Sequence, residues 1–251
     1  MTGDWLLRTE RLTCDFGGLR AVDGVSLSVA SGTVHSLIGP NAAGKTTFFN
    51  LVSGEIAPTD GCVYFKGQDI TGLPSHRVPH VGIARCFQRT NIFPKLTVFE
   101  NVWVAAFSRS TPGALGFLRR VRDFGGIGDR VREIVAQVGL EEKLSERAET
   151  LSHGQQRALE VAIALAGSPT LLLLDEPTQG LAPEATVRMT QLIQRLAGQY
   201  TILLIEHKMH VVMSISEQIS VMHFGQIIAE GGPDEIRQNE AVHKAYLGGR
   251  R

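Results

Sequence analysis

The 251-residue chain has only three cysteines, no net charge and no long apolar run, and each shortage excludes a class of protein. Cys14, Cys62 and Cys86 are odd in number and lack both CxxC and metal-knuckle spacing, so a disulfide framework or zinc module is not expected. Reduced thiols in a cytosolic compartment, with packing as their default role, follow from that. Apolar runs such as "LLLL" at 171–174 fall far short of the roughly 20 residues that span a bilayer. If the protein serves a membrane, another chain crosses it. Lys plus Arg equals Asp plus Glu at 25 each, which leaves no global field to attract nucleic acid or an anionic lipid surface. The opening "MTGDWLLRTERLT" is charged within four residues and has no apolar stretch of signal-peptide length, so nothing there points to export. Internal repeats and low-complexity tracts are also missing.

What is present is a foldable globular composition, 43% hydrophobic and 20% charged, in a chain long enough to bury a substantial core. Near the N-terminus, "RLTCDFGGLRAVDGVSLSVASGTVHSLIG" reads as short strands with turns expected at Gly17-Gly18, Asp23-Gly24 and Ser31-Gly32. The last of these strands, about 33–38, runs into a Gly-rich loop and then a helix starting near Lys45. "TLLLLD" at 170–175 and "TILLIE" at 201–206 lack polar alternation and flank a helical segment at 184–197, the pattern of a parallel sheet covered on both faces. Between Gln88 and Leu151, "LTVFENVWVAAF" and "RVREIVAQVGL" have helical spacing around a Gly-rich, Arg-bearing interruption, so a helical insertion is expected. Two short strands around Gly225 and a helix after Pro233 should complete the chain.

The chemistry begins with "GPNAAGKTT", where Gly39, Gly44, Lys45 and Thr46 satisfy G-x-x-x-x-G-K-[ST] between a strand and a helix. In such a loop the backbone N–H groups and the helix N-terminus face phosphate oxygens, the lysine neutralises the β and γ phosphates, and the Thr46 hydroxyl reaches Mg²⁺. Ala42 stands where a glycine is expected, so a positive φ there would cost about 1 kcal/mol. Asp175 and Glu176 end a buried strand, on the side of the sheet where ligands bind. Asp175 suits a water-mediated Mg²⁺ contact and Glu176 the polarisation of an attacking water. His207 ends the next buried strand and is expected to contact the γ-phosphate, while Gln88 follows an apolar strand-like run.

"LSHGQQR" at 151–157 carries a second anion-gripping turn. Ser152 is a natural N-cap for a helix with an apolar stripe at Leu159, Ala162, Ile163 and Ala166, ending at Gly167. Gly154 and Gln155 keep its first turn unobstructed, so the turn can hold a γ-phosphate. The chain's own P-loop already faces a catalytic strand end, so the economical reading is that this turn caps the nucleotide of another copy. Met209 and Met213 are assigned to packing, and Arg119, Arg120 and Arg122 to a solvated basic helix face.

With these elements in order, the chain resembles the ATP-binding subunit of an ABC transporter over essentially its whole length. "GPNAAGKTT" is similar to the Walker A, Gln88 to the Q-loop, "LSHGQ" to the signature, "LLLLDE" to the Walker B and His207 to the switch histidine. "FGGLRAVDGVSLSV", "EHKMHVVMSISEQISVMHFGQIIAEGGPDEI" and "GLAP" resemble the branched-chain amino acid importer subfamily. The resemblance implies an α/β P-loop NTPase (RecA-like), its mostly parallel sheet joined to an N-terminal antiparallel β subdomain and an inserted α-helical subdomain. Residues 1–88 and 158–232 would form the core, 89–157 the helical subdomain and 233–251 a C-terminal helix. Lys45, Glu176 and His207 would be catalytic, and Thr46, Gln88 and Asp175 would serve the metal. Phe16, which could otherwise pack within its strand, would stack on adenine, with Gly39, Asn41, Gly44, Lys45, Thr46 and Thr47 around the phosphates. Ser152, Gly154 and Gln155 would act in trans, because subunits of this family pair head to tail. His153 departs from the usual glycine of the signature and Ala182 from a common aspartate.

The expected activity is hydrolysis of ATP with Mg²⁺ by a cytoplasmic subunit, peripheral on the inner face of the cell membrane, powering import of a small polar solute such as an amino acid. Its partners would be a second ATP-binding subunit, transmembrane permease subunits and an external solute-binding protein, with no nucleic acid. Export, for instance of lipopolysaccharide, and an ATPase acting on nucleic acid or ribosomes are the competing readings; the first would be separated by the membrane chain that co-purifies, the second by salt-sensitive DNA or RNA binding.

Overall fold

A computed structural model describes residues 5–86, 91–110 and 125–247. Its strands, in chain order, are β1 (Trp5–Phe16), β2 (Leu19–Val25), β3 (Ser28–Ala30), β4 (Val34–Ile38), β5 (Asp60–Phe65), β6 (Gln68–Asp69), β7 (Ile83–Cys86), β8 (Leu171–Asp175), β9 (Thr201–Ile205), β10 (Gln218–His223) and β11 (Gln226–Gly231). The α-helices are α1 (Lys45–Val52), α2 (Val78–Val81), α3 (Val98–Ser110), α4 (Gly125–Gln137), α5 (His153–Ala166), α6 (Pro183–Leu196), α7 (Met209–Ile215), α8 (Pro233–Gln238) and α9 (Glu240–Leu247).

Two sheets result. The first is antiparallel, ordered β2-β1-β5-β6 with β3 also on β1. The second is ordered β11-β10-β4-β9-β8-β7, and only its β10–β11 pairing is antiparallel. The continuous apolar text of β8 has a direct cause. Leu171 and Leu173 point into a core shared with α1 and the first sheet, while Leu172 and Leu174 point into a core shared with α3, α4, α5 and α6. Both faces are covered, so no polar alternation survives. Helix α6, by contrast, is amphipathic and buries Met189, Leu192, Ile193 and Leu196.

The fold class matches the sequence expectation, and two local expectations are corrected. Asp23-Gly24 is not a turn; it lies within β2. There the register slips from Leu12 opposite Val25 to Cys14 opposite Val22, and Gly24, at φ +63°, supplies the left-handed residue such an irregularity needs. The chain after Pro233 is also not one helix but two, broken at Asn239, whose Oδ1 accepts the Ala241 N–H at 2.9 Å. An asparagine that caps the following turn competes with helix continuation. Strands β5 and β6 were not read in the sequence. Arg119, Arg120 and Arg122, and most of the expected interruption at 109–128, lie outside the described residues.

Candidate functional site

The P-loop is gripped from behind. Strand β4, buried throughout, is followed by Gly39, where a Cβ would collide with the Met222 carbonyl of β10. A Cβ on Gly44 (φ +103°) would strike the Ala21 carbonyl. Only glycine permits both close approaches. Ala42 has φ +62°, so the condition raised by the sequence is met and the left-handed backbone costs about 1 kcal/mol at that position. The loop is also tied to its neighbours: Gly225 N–H donates to Ala43 O at 2.9 Å, and Asp23 N–H donates to Gly225 O at 2.9 Å. Lys45, 6% exposed, donates from Nζ to Gly39 O (2.8 Å) and Pro40 O (2.9 Å). Burial lowers its pKa, opposed by the negative charges of Glu176 and Asp175. Asn41 and Thr46 are exposed on this loop, and Thr47 is half-buried.

A cleft of about 510 Å³ opens over the loop, with Phe16, Lys45, Thr46, Glu176 and His207 among its walls. Phe16 is 46% exposed, more than a strand-packing aromatic requires, and Phe224, 80% exposed, stands on the same cleft. Beyond the end of β8, the backbone of Glu176 turns left-handed at φ +51° while its N–H stays bonded to Ile205 O at 2.9 Å. The reversal directs the carboxylate into the cleft, where it hydrogen-bonds His207 Nε2. A non-glycine residue held in that conformation marks an over-determined position.

Two supports were missed by the sequence reading. Buried Glu206 accepts the His207 N–H (3.0 Å) through Oε2 and the Thr178 N–H (3.0 Å) and hydroxyl (2.5 Å) through Oε1. It thereby clamps the histidine to the turn that follows the acids. Its signal was an acid closing an otherwise apolar strand. Arg85, whose side chain is enclosed, donates from Nη2 to Asp175 Oδ2 at 2.9 Å. Burial raises the Asp175 pKa, with Arg85 opposing the rise. No pattern in the sequence isolates that arginine. Gln88 lies outside the described residues.

The N-cap expected at Ser152 is present, and its turn lines a cleft other than that of the P-loop. Ser152 N-caps α5 in a reciprocal box: Gln155 N–H donates to Ser152 Oγ (3.4 Å) and Ser152 N–H donates to Gln155 Oε1 (2.9 Å). Gln155 is therefore partly consumed by the cap, and the first-turn amides of His153 and Gly154 are the ones the cap leaves alone. Ser152, Gly154 and Gln155 line a separate cleft of about 380 Å³ with Ala185 and Arg188, while the P-loop cleft is walled by other residues. Gly154 is also a packing residue, since a Cβ there would come 3.0 Å from Ala185 Cβ.

Taken together, one cleft combines a P-loop, a strained carboxylate paired with a histidine and an exposed aromatic, and the buried acid Asp175 directly precedes that carboxylate at the end of β8; these are parts needed to bind and hydrolyse a nucleoside triphosphate. Comparison with known proteins agrees. Residues 22–179 match the family model described as "ABC transporter", and residues 226–251 match "Branched-chain amino acid ATP-binding cassette transporter". The chain is 42% identical over 249 residues to the high-affinity branched-chain amino acid transport ATP-binding protein BraF of Pseudomonas aeruginosa, covering 97% of this chain and 98% of the relative. To LivG of Escherichia coli, which has the same description, it is 39% identical over 249 residues, with the same coverage. Among solved structures, the ADP conformation of MJ1267, an ATP-binding cassette of an ABC transporter, superposes with a TM-score of 0.86 at 31% identity, covering 97% of this chain and 99% of that one. A dimeric post-hydrolysis state of the cassette MJ0796, bound to ADP and Pi, gives 0.75 at 25% identity, covering 90% and 98%.

Proposed function

Since the chain belongs to the ATP-binding cassette family of ABC transporters, we propose that it hydrolyses ATP as one half of a head-to-tail pair and so powers import of a branched-chain or other amino acid. It is the ATPase subunit of a transport system whose membrane-spanning path is formed by permease subunits. No described helix is long and apolar enough to cross a membrane. The subunit would sit peripherally on the inner face, against its permease partners. Import of an amino acid is favoured over export by the C-terminal match to the branched-chain amino acid family and by the names of the relatives. An external solute-binding protein would deliver the cargo. The divisions at 88/89, 157/158 and 232/233 serve as working boundaries of core, helical subdomain and C-terminal segment.

The observation that carries the hydrolytic role is Glu176, turned by left-handed backbone toward the P-loop cleft and joined to His207. Lys45, now held by two loop carbonyls, would exchange them for phosphate oxygens. Phe16 would stack on the base, and Gly39, Asn41, Gly44 and Thr47 would surround the phosphates. Glu176 would take the proton of the attacking water and His207 would hold the γ-phosphate. Hard oxygen donors at Thr46 and Asp175 suit Mg²⁺, which keeps few protein ligands and shares phosphate oxygens. Gln88 would join them. When bound, the ion neutralises charge on the phosphates.

The partner's Ser152, Gly154 and Gln155 would close the site from outside, because in their own chain they line a different cleft. Closure on ATP and reopening after hydrolysis would then move the permease.

Glu176→Gln tests the reading. It should retain ATP affinity, lower turnover at least about a hundredfold, as loss of a general base does, and accumulate an ATP-bound dimer on size exclusion. Unchanged hydrolysis would remove Glu176 from the catalytic role.

A further inference from the structure

Arg85 occupies a position that links three parts of the proposed site. It is the third residue of β7, paired in register with Leu173 of β8, so its side chain emerges beside the strand end that carries Asp175. Its guanidinium donates from Nη2 to Asp175 Oδ2 at 2.9 Å and from Nη1 to Asn50 Oδ1 at 2.7 Å and Ser53 Oγ at 2.9 Å. Asn50 belongs to α1, the helix that begins at Lys45, and Ser53 is its C-cap. The guanidinium carbon also lies 5.8 Å from the centre of the Phe49 ring on the same helix. The ion pair is almost fully enclosed, with side-chain exposures of 7% and 2%.

Enclosure of this kind contributes little to stability, since desolvating two ions offsets most of their attraction. What the arrangement supplies is geometry. A planar guanidinium can serve acceptors on two elements at once, whereas an ammonium offers one point of charge. Here it binds one carboxylate oxygen of Asp175 and ties that carboxylate to the helix carrying Lys45 and Thr46. Oδ1 of Asp175 is left without a hydrogen bond from the described residues.

We propose that Arg85 is the positioning residue of the metal contact: by anchoring Oδ2 of Asp175 to Asn50 and Ser53 it turns Oδ1 toward the Mg²⁺ shared with the nucleotide. This rests on the assignment of Asp175 to the metal made above. Groups that orient a metal-facing ligand typically govern 10- to 100-fold in metal affinity without touching the ion.

The test separates nucleotide from metal in the full-length protein. Binding of a fluorescent ATP analogue is measured in EDTA and then as a function of Mg²⁺, and Mn²⁺ uptake by the nucleotide complex is followed by electron paramagnetic resonance. Arg85→Gln should leave the affinity in EDTA within about twofold of the parent and raise the apparent dissociation constants for Mg²⁺ and Mn²⁺ about 10- to 100-fold. Arg85→Lys should restore only part of the loss.

Equal falls in EDTA and in Mg²⁺ would make Arg85 a purely structural residue, and an unchanged metal affinity would overturn the proposal outright. If Arg85→Gln does not fold, Asn50→Ala combined with Ser53→Ala keeps the ion pair but removes the two α1 acceptors of the guanidinium. That variant should weaken Mg²⁺ binding several-fold, and parental Mg²⁺ binding in it would equally overturn the proposal. Asp175→Asn is the control: if it too leaves metal affinity intact, the assignment of Asp175 fails, whereas its loss beside an unaffected Arg85→Gln defeats the Arg85 proposal alone.

Discussion

His35 offers a stability prediction whose size comes from one buried ring. It lies in β4 at 1% exposure, and its Nε2 is 2.7 Å from Ser220 Oγ, which in turn donates to Glu230 Oε1 at 2.6 Å. Because the serine proton is committed to the carboxylate, the ring must donate from Nε2, which fixes the neutral tautomer. Burial lowers the imidazole pKa from 6.5 to about 4. A histidine whose folded pKa is depressed contributes stability above its unfolded pKa and loses it as pH falls toward the folded one, here between 6.5 and about 4. The full shift corresponds to about 3.4 kcal/mol, and about 2 kcal/mol of it should be gone by pH 5 relative to pH 7.5.

The perturbation is His35→Gln, which can still donate to Ser220 but does not titrate. Urea unfolding of both proteins at pH 7.5, 6.5, 5.75 and 5 gives the difference in stability. Other groups, including Glu217 and Glu230 at the same end of the sheet, cancel in that difference so long as their surroundings are kept. The parent should lose about 2 kcal/mol more than the variant over the series. Parallel curves would show that the ring is protonated in place or reaches water, and would refute the reasoning.

Two further outcomes concern the nucleotide. Lys45→Ala and Gly154→Asp chains should each be nearly inactive alone, yet mixing them should restore hydrolysis, because both lesions fall in one site of the mixed dimer and leave the other whole. Activity at the single-mutant level in mixed dimers verified by native mass spectrometry would count against a signature acting in trans. Phe16→Ala should raise the KM for ATP about 5- to 150-fold with kcat nearly unchanged, the scale of one lost base–aromatic stack of about 1–3 kcal/mol, and an unaltered KM would return Phe16 to a packing role.

Legibility from sequence followed the range of the interactions involved. β8 and β9 were readable because burial on both faces erases alternation within five residues, and the P-loop because its contacts with the helix N-terminus are local. The Ser152–Gln155 cap was half readable: the serine was recognised, but the reciprocal bond that consumes the glutamine depends on a rotamer. Asp23-Gly24 misled because a left-handed glycine serves a register irregularity as well as a turn, and only the partner strand decides between them.

Arg85 shows where sequence reading stops. In "GIARCF" it merely interrupts an apolar run, and its partners lie 90, 35 and 32 residues away. A second buried pair follows the same plan. Arg157 Nη1 meets Glu160 Oε2 at 2.8 Å on α5, and Glu160 Oε1 accepts the Asn91 N–H at 2.7 Å. Burial raises the Glu160 pKa, so the acid is held there against its own desolvation. One pair involves the third residue of β7, and the other ties α5 to Asn91. Stability alone does not account for them, because apolar side chains of similar volume would serve a core as well or better. Directional hydrogen bonds can do what apolar packing cannot: they hold β7 in fixed register to Asp175 and the segment at Asn91 in fixed register to α5.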